Sequence, residues 1–155
     1  MTVTPLAHDE EVAGTWHPWR ALRERSHLRL VWARLPQGPG GRLVDDDDGQ
    51  RKVILDPRLG RCDRNAVLAH ELVHDERNIL YWPDTPKAIV QKEEAIVNRT
   101  VAHRLVPMTL LARFVTRVEG LGEPVHAASV AEEFDVPLDV AQRALWLLDQ
   151  RGRAG

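Results

Sequence analysis

Apolar and polar positions divide the chain into short segments of contrasting period. Leu28, Leu30 and Trp32 alternate with Arg29, Val31 and Ala33, a period of two that predicts a strand. A second strand is expected over Lys52–Leu55, after a Gly- and Pro-rich loop from Pro36 to Gly41. Pro18 suits the start of a short helix running from Trp19 to about Ser26. From Arg64 to Asn78 there is no Gly or Pro, and Asp63 is a suitable N-cap. Ala66, Val67, Leu68, Ala69, Leu72 and Val73 put apolar side chains almost all round this helix, which predicts that it is buried. Polarity returns at Asp75, Glu76, Arg77 and Asn78, where the helix is expected to reach solvent and end. Lys87 to Val106 reads as one long helix, with Val90, Val97, Val101 and Leu105 as its apolar stripe. Another helix is expected from about Thr109 to Val118. The first fifteen residues are polar and unpatterned, as loosely held chain ends are.

Within the buried helix lies His70-Glu71-Leu72-Val73-His74. Helical residues four apart share a face, so both imidazoles can address one cation. Glu71 flanks that face, within reach of a water bound there. This is the arrangement in which zinc activates water and Glu serves as general base. Three protein ligands and one open position are usual for catalytic zinc. Two carboxylates, Glu93 and Glu94, compete for the third place. Glu94 falls inside the apolar stripe of its helix and Glu93 about 100° away, so Glu94 is the expected ligand. Asn98, one turn on, shares that face and can accept the free N–H of a ligand imidazole. Tyr81 follows the motif helix and is a candidate oxyanion donor, with cleft wall as the plainer role. His103 lies on the opposite face from Glu94 and is rejected as a ligand.

Two stretches carry a family resemblance: His70–His74, and Glu94-Ala95-Ile96-Val97-Asn98-Arg99-Thr100-Val101-Ala102-His103-Arg104-Leu105-Val106-Pro107. The second resembles the Glu-x-x-Ala-Asn-x-Phe-Ala-x-x-Leu-Leu-x-Pro helix of the ImmA/IrrE metallopeptidases. Trp16-His17-Pro18-Trp19-Arg20 and Val53–Leu59 resemble the opening and the edge strand of short phage and actinobacterial members. Val73, Val97 and Thr100 depart from the pattern, where Gly, Ala and Phe are usual; none is a proposed ligand. The resemblance implies a gluzincin-like, cytoplasmic zinc endopeptidase, with Glu94 as third ligand. It also implies a protein or peptide substrate such as a helix-turn-helix repressor.

The expected fold is α+β and mostly helical. A zincin-like domain over residues 16–107 has a small edge sheet, with the Lys52–Leu55 strand bordering the cleft and free to bind an extended peptide. A helical module over 108–150 follows. In it, Val130–Leu145 resembles a helix-turn-helix with a turn at Phe134–Val136 and Val140 and Leu145 inward. Glu132, Glu133, Asp139 and Asp149 beside Gln142 and Arg143 make poor complements to a duplex, so a packing or substrate-docking surface is expected and DNA binding is not. The alternative to an enzyme is a DNA- or protein-binding regulator on a peptidase-like scaffold, an anti-repressor or toxin-like partner.

Composition narrows this further. A length of 155 residues fits one compact domain with a small appendage, and a net charge of −2 calls for neither nucleic acid nor an anionic membrane. No apolar run is long enough for a membrane span or signal peptide. The single Cys62 rules out an internal disulfide, as in a reducing compartment. Asp45-Asp46-Asp47-Asp48-Gly49 fails as a calcium loop: aligned on its Gly, Val44 and Leu55 fall at the first and last ligand positions. A solvated turn is the reading that remains.

Overall fold

The computed structural model describes residues 15–155; the expectation for the chain's beginning lies outside them, Thr15 excepted. The elements run α1 (Pro18–Arg23), β1 (Leu28–Trp32), β2 (Gly41–Asp45), β3 (Arg51–Leu55), α2 (Arg61–Arg77), α3 (Lys87–Leu105), α4 (Met108–Gly120), α5 (Ala127–Phe134) and α6 (Leu138–Arg153). The protein is therefore α+β, with a three-stranded sheet and six helices among the described residues. None of these helices is long and apolar enough to cross a membrane.

The sheet differs from the expected one. Its order is β1-β3-β2, so the Lys52–Leu55 segment is the central strand, paired on both sides and without a free edge. β3 runs parallel to β1 (Leu30 opposite Val53) and antiparallel to β2 (Leu43 opposite Val53). Val53 and Leu55 are buried, as a central position demands. The edge that faces the cleft belongs to β2, a strand hidden in the sequence because Gly40-Gly41 reads as loop. The Asp46–Gly49 segment is a turn closed by Asp46 N–H to Gln50 C=O at 2.8 Å, with Gly49 at φ 80°.

The motif helix α2 has its N-cap three residues before the expected one. Gly60 caps it, and Asp63 sits in the first turn, where its charge favours the positive end of the helix. It closes at Asn78 in the left-handed conformation (φ 53°), a common helix stop. Leu68, Ala69, Leu72 and Val73 are fully or almost fully buried between the sheet and α3. Polarity does not reach solvent at Asp75: this carboxylate is buried. It is held by Arg51 Nη1 at 3.1 Å, His27 Nε2 at 2.8 Å and Arg25 Nε at 3.8 Å. Exposure begins one residue later, at Glu76.

Below α2 the core divides. Leu43, Val53, Leu55, Leu68 and Leu72 fill the space between sheet and helix, and Val73 meets Val97 and Val101 of α3. A second cluster packs α4, α5 and α6 together through Leu111, Phe114, Val130, Val140, Ala141 and Ala144, and takes in Ala102 and Val106 at the end of α3. Asp135, left-handed at φ 54°, turns the chain between α5 and α6 and pairs with Arg61 at the start of α2.

Candidate metal centre

One turn of α2 separates His70 from His74, and the two rings meet edge to face with Nε2 atoms 3.1 Å apart. α3 lies against α2 and brings Glu94 to both: Oε2 is 3.1 Å from His70 Nε2 and Oε1 is 2.9 Å from His74 Nε2. These three side chains form a group able to hold a metal ion. Donor chemistry fits a cation. Two imidazole nitrogens facing each other with a carboxylate need either a shared proton or a positive ion between them. Bonds of about 2.0–2.1 Å at tetrahedral angles place donors roughly 3.3–3.4 Å apart. The observed edges are a few tenths of an ångström shorter, so holding an ion takes only a small expansion of the group.

Charge within the group is arranged the same way. Hydrogen bonds from His70 and His74 hold the Glu94 carboxyl well below the usual carboxylate range. Burial opposes the charged form of His70, but the bond to Glu94, the charges of Glu71 and Glu94 and a bond to Asn98 together raise its pKa. Asn98 thus sits where one helical turn from Glu94 places it, against the first histidine. Tyr81 donates its hydroxyl to Glu94 Oε1 at 2.9 Å and sets its ring edge-on to His74. Its O–H therefore orients a ligand candidate. Burial first, and then Glu94, push its own pKa up.

Glu93 is turned away and paired with Arg77, Nε to Oε2 at 2.8 Å. His103 is exposed on the far face of α3. Cys62 is half-buried near Asp135, and burial raises its thiol pKa, which suits a packing role.

Glu71 is buried at 8% exposure beside the three ligand candidates. Burial raises its pKa, while His70 and His74 pull it down. Its carboxylate lies against the backbone N–H of Leu43 on β2, which also favours the charged form. This neighbour is not legible in the motif, although the Gly41–Asp45 segment, with apolar Leu43 flanked by Arg42 and the acidic turn, carries a weak strand signal.

Two cavities meet at His70, Glu71 and Gly41. One, about 580 Å³, runs between β2 and the Ile79–Pro83 segment and contains His74, Tyr81 and Glu94. The other, about 310 Å³, passes Asn98 to the start of α6, where Pro137, Asp139, Val140 and Arg143 wall it. The C-terminal helices thus help to build the cleft. A third groove, about 430 Å³ and of mixed character, lies between Trp16, α4 and the α5–α6 turn, with none of the ligand candidates in its lining.

No family model matches this sequence, and no curated protein matches it significantly.

Proposed function

We propose that this protein is a zinc-dependent endopeptidase of the ImmA/IrrE type, with a minimal zincin-like fold. The carrying observation is the convergence of His70 Nε2, His74 Nε2 and the Glu94 carboxylate beside the buried Glu71, where two cavities meet. A His₂Glu donor set is one that catalytic zinc uses. His70 and His74 would hold the ion from α2 and Glu94 from α3. When bound, zinc supplies a Lewis acid that makes water a nucleophile near neutral pH and polarises a carbonyl.

The rest falls to the chain's own groups. Glu71 takes the proton of the attacking water on its carboxylate and returns it to the amine of the departing peptide half. Its burial beside the ligand candidates places this carboxylate for both halves of that transfer. Asn98 and Tyr81 orient His70 and Glu94. Hydrogen bonds at Asp56 N–H to Gly40 and Asp46 N–H to Gln50 put the even-numbered residues of β2 towards β3. Gly41, Leu43 and Asp45 therefore turn their polar groups to the free edge, beside the cleft. Leu43 N–H is taken up by Glu71, so an extended peptide can lie along that edge through the backbone groups of Gly41 and Asp45.

The substrate class is a protein segment in extended form; the family resemblance points to a helix-turn-helix repressor in the cytoplasm. In this reading the helix-turn-helix-like α5–α6 pair is a cleft wall rather than a DNA reader. The test is proteolysis of denatured casein and of a co-expressed repressor by zinc-loaded protein. Cleavage that disappears in Glu71→Gln supports the reading; no cleavage of either by the wild type overturns it.

A further inference from the structure

Gly41 is the first residue of β2 and borders both cavities. A Cβ there would stand 2.5 Å from Val67 Cγ1, 3.2 Å from Glu71 Cγ and 3.4 Å from Glu71 Oε1. The first of these is far inside van der Waals contact. Val67 is β-branched and restricted to essentially one rotamer in a helix, so it cannot easily yield. Any side chain at position 41 must drive β2 away from α2. Two residues on, Leu43 turns its backbone N–H to the free edge, where it meets the Glu71 carboxylate. Leu43 itself is fixed by burial in the core between the sheet and α2.

We infer that Gly41 is a positioning residue for the general base: its missing side chain lets the edge strand approach the motif helix closely enough for Leu43 N–H to hold the Glu71 carboxylate. The geometric part stands on the strand and helix alone; its catalytic meaning rests on the peptidase reading above. The three atoms nearest a Cβ at position 41 belong to Val67 and Glu71, so the metal group and the base are set by different elements: α2 with α3 for one, α2 with β2 for the other.

Amide hydrogen exchange by NMR reads the contact directly, on the full chain with zinc bound. Leu43 N–H lies on an unpaired strand edge and should be protected only through Glu71. It should exchange at least tenfold faster in Glu71→Ala and in Gly41→Ala, while Val53, central in the sheet, keeps its protection. Gly41→Ala should still bind zinc. With denatured casein as probe, its kcat should fall tenfold or more and its KM change less than threefold. Gly41→Ala with Val67→Ala removes the clashing methyl and should restore both Leu43 protection and turnover. Fast Leu43 exchange in the wild type, or Gly41→Ala with unchanged exchange, overturns the inference. If the exchange pattern appears as stated while no variant or wild type cleaves, the positioning holds and the peptidase reading fails.

Discussion

Arg77 grips Glu93 in a two-point ion pair, Nε to Oε2 at 2.8 Å and Nη2 to Oε1 at 3.0 Å. Its neighbour Glu94 faces the other way, into His70 and His74. Two adjacent carboxylates are thereby sorted, one to a surface cation and one to the metal group. Arg77 belongs to the last turn of the same helix that carries the histidines, so α2 holds both carboxylates of α3 and sets the register between the helices.

That sorting predicts opposite outcomes for neighbouring substitutions. Glu94→Ala should reduce bound zinc from about one per chain to well under a tenth, since it removes one of three ligands. Glu93→Ala should keep the full complement and shift the thermal midpoint by only about 2 °C, because an exposed pair contributes little. Elemental mass spectrometry on protein purified without an affinity tag decides it.

Tyr81 reaches the site through one oxygen of Glu94. Tyr81→Phe keeps the ring against His74 and removes only the hydroxyl. Zinc affinity should drop on the order of 10-fold, as for other groups that orient a ligand. Competition with a chromogenic chelator measures it, and an unchanged affinity would mean that the hydroxyl has no part in holding the carboxylate.

Glu71→Gln should retain zinc and lose turnover by about 10²–10⁴-fold, the usual contribution of a positioned proton acceptor. Cleavage of denatured casein, followed by mass spectrometry of the products, separates loss of chemistry from loss of metal.

Asp56 predicts a pH effect on stability. The side chain is fully buried and accepts from Leu35 N–H at 2.8 Å, Arg58 N–H at 2.9 Å and the Arg58 guanidinium at 2.6 Å. The Arg58 bond, with the two backbone donors, holds its carboxyl far below the ordinary value. A folded-state pKa below the unfolded one, about 3.9, gives stability that is present above pH ~4 and lost as pH falls further. Asp56→Asn should therefore melt roughly 5–10 °C below wild type at pH 7, with the gap narrowing by pH 3. A gap that stays constant with pH would exclude the ionised carboxylate as its source.

Asp75 is the other buried carboxylate with cationic partners, and it directly follows His74. Asp75→Ala removes their shared partner, while Arg51 keeps Asp45 and Arg25 keeps Glu76. Urea unfolding should show a loss of about 1.5–3 kcal/mol, the contribution of hydrogen bonds to a charged group. A change within 1 kcal/mol, about the contribution of a surface pair, would contradict the network.

What the sequence determined by itself is what lies within a few turns of one helix. His70 and His74 share a face because the α-helix repeats every 3.6 residues, and the same period separates Glu94 from Glu93 and puts Asn98 in line with it. Only tertiary structure decided which cations would meet which anions, since Arg77–Glu93 and Arg51–Asp75 join residues far apart in the chain. It also made Asp75 a buried residue, against its place in a polar run. Strand order was equally out of reach: β3 looks like an edge from its short apolar run, yet it takes β1 and β2 on its two sides. β2 itself begins with a glycine that any local rule assigns to a loop. Its place there follows from the 2.5 Å that a Cβ would leave to Val67, a distance set by the packing of sheet on helix and by nothing in the neighbouring residues.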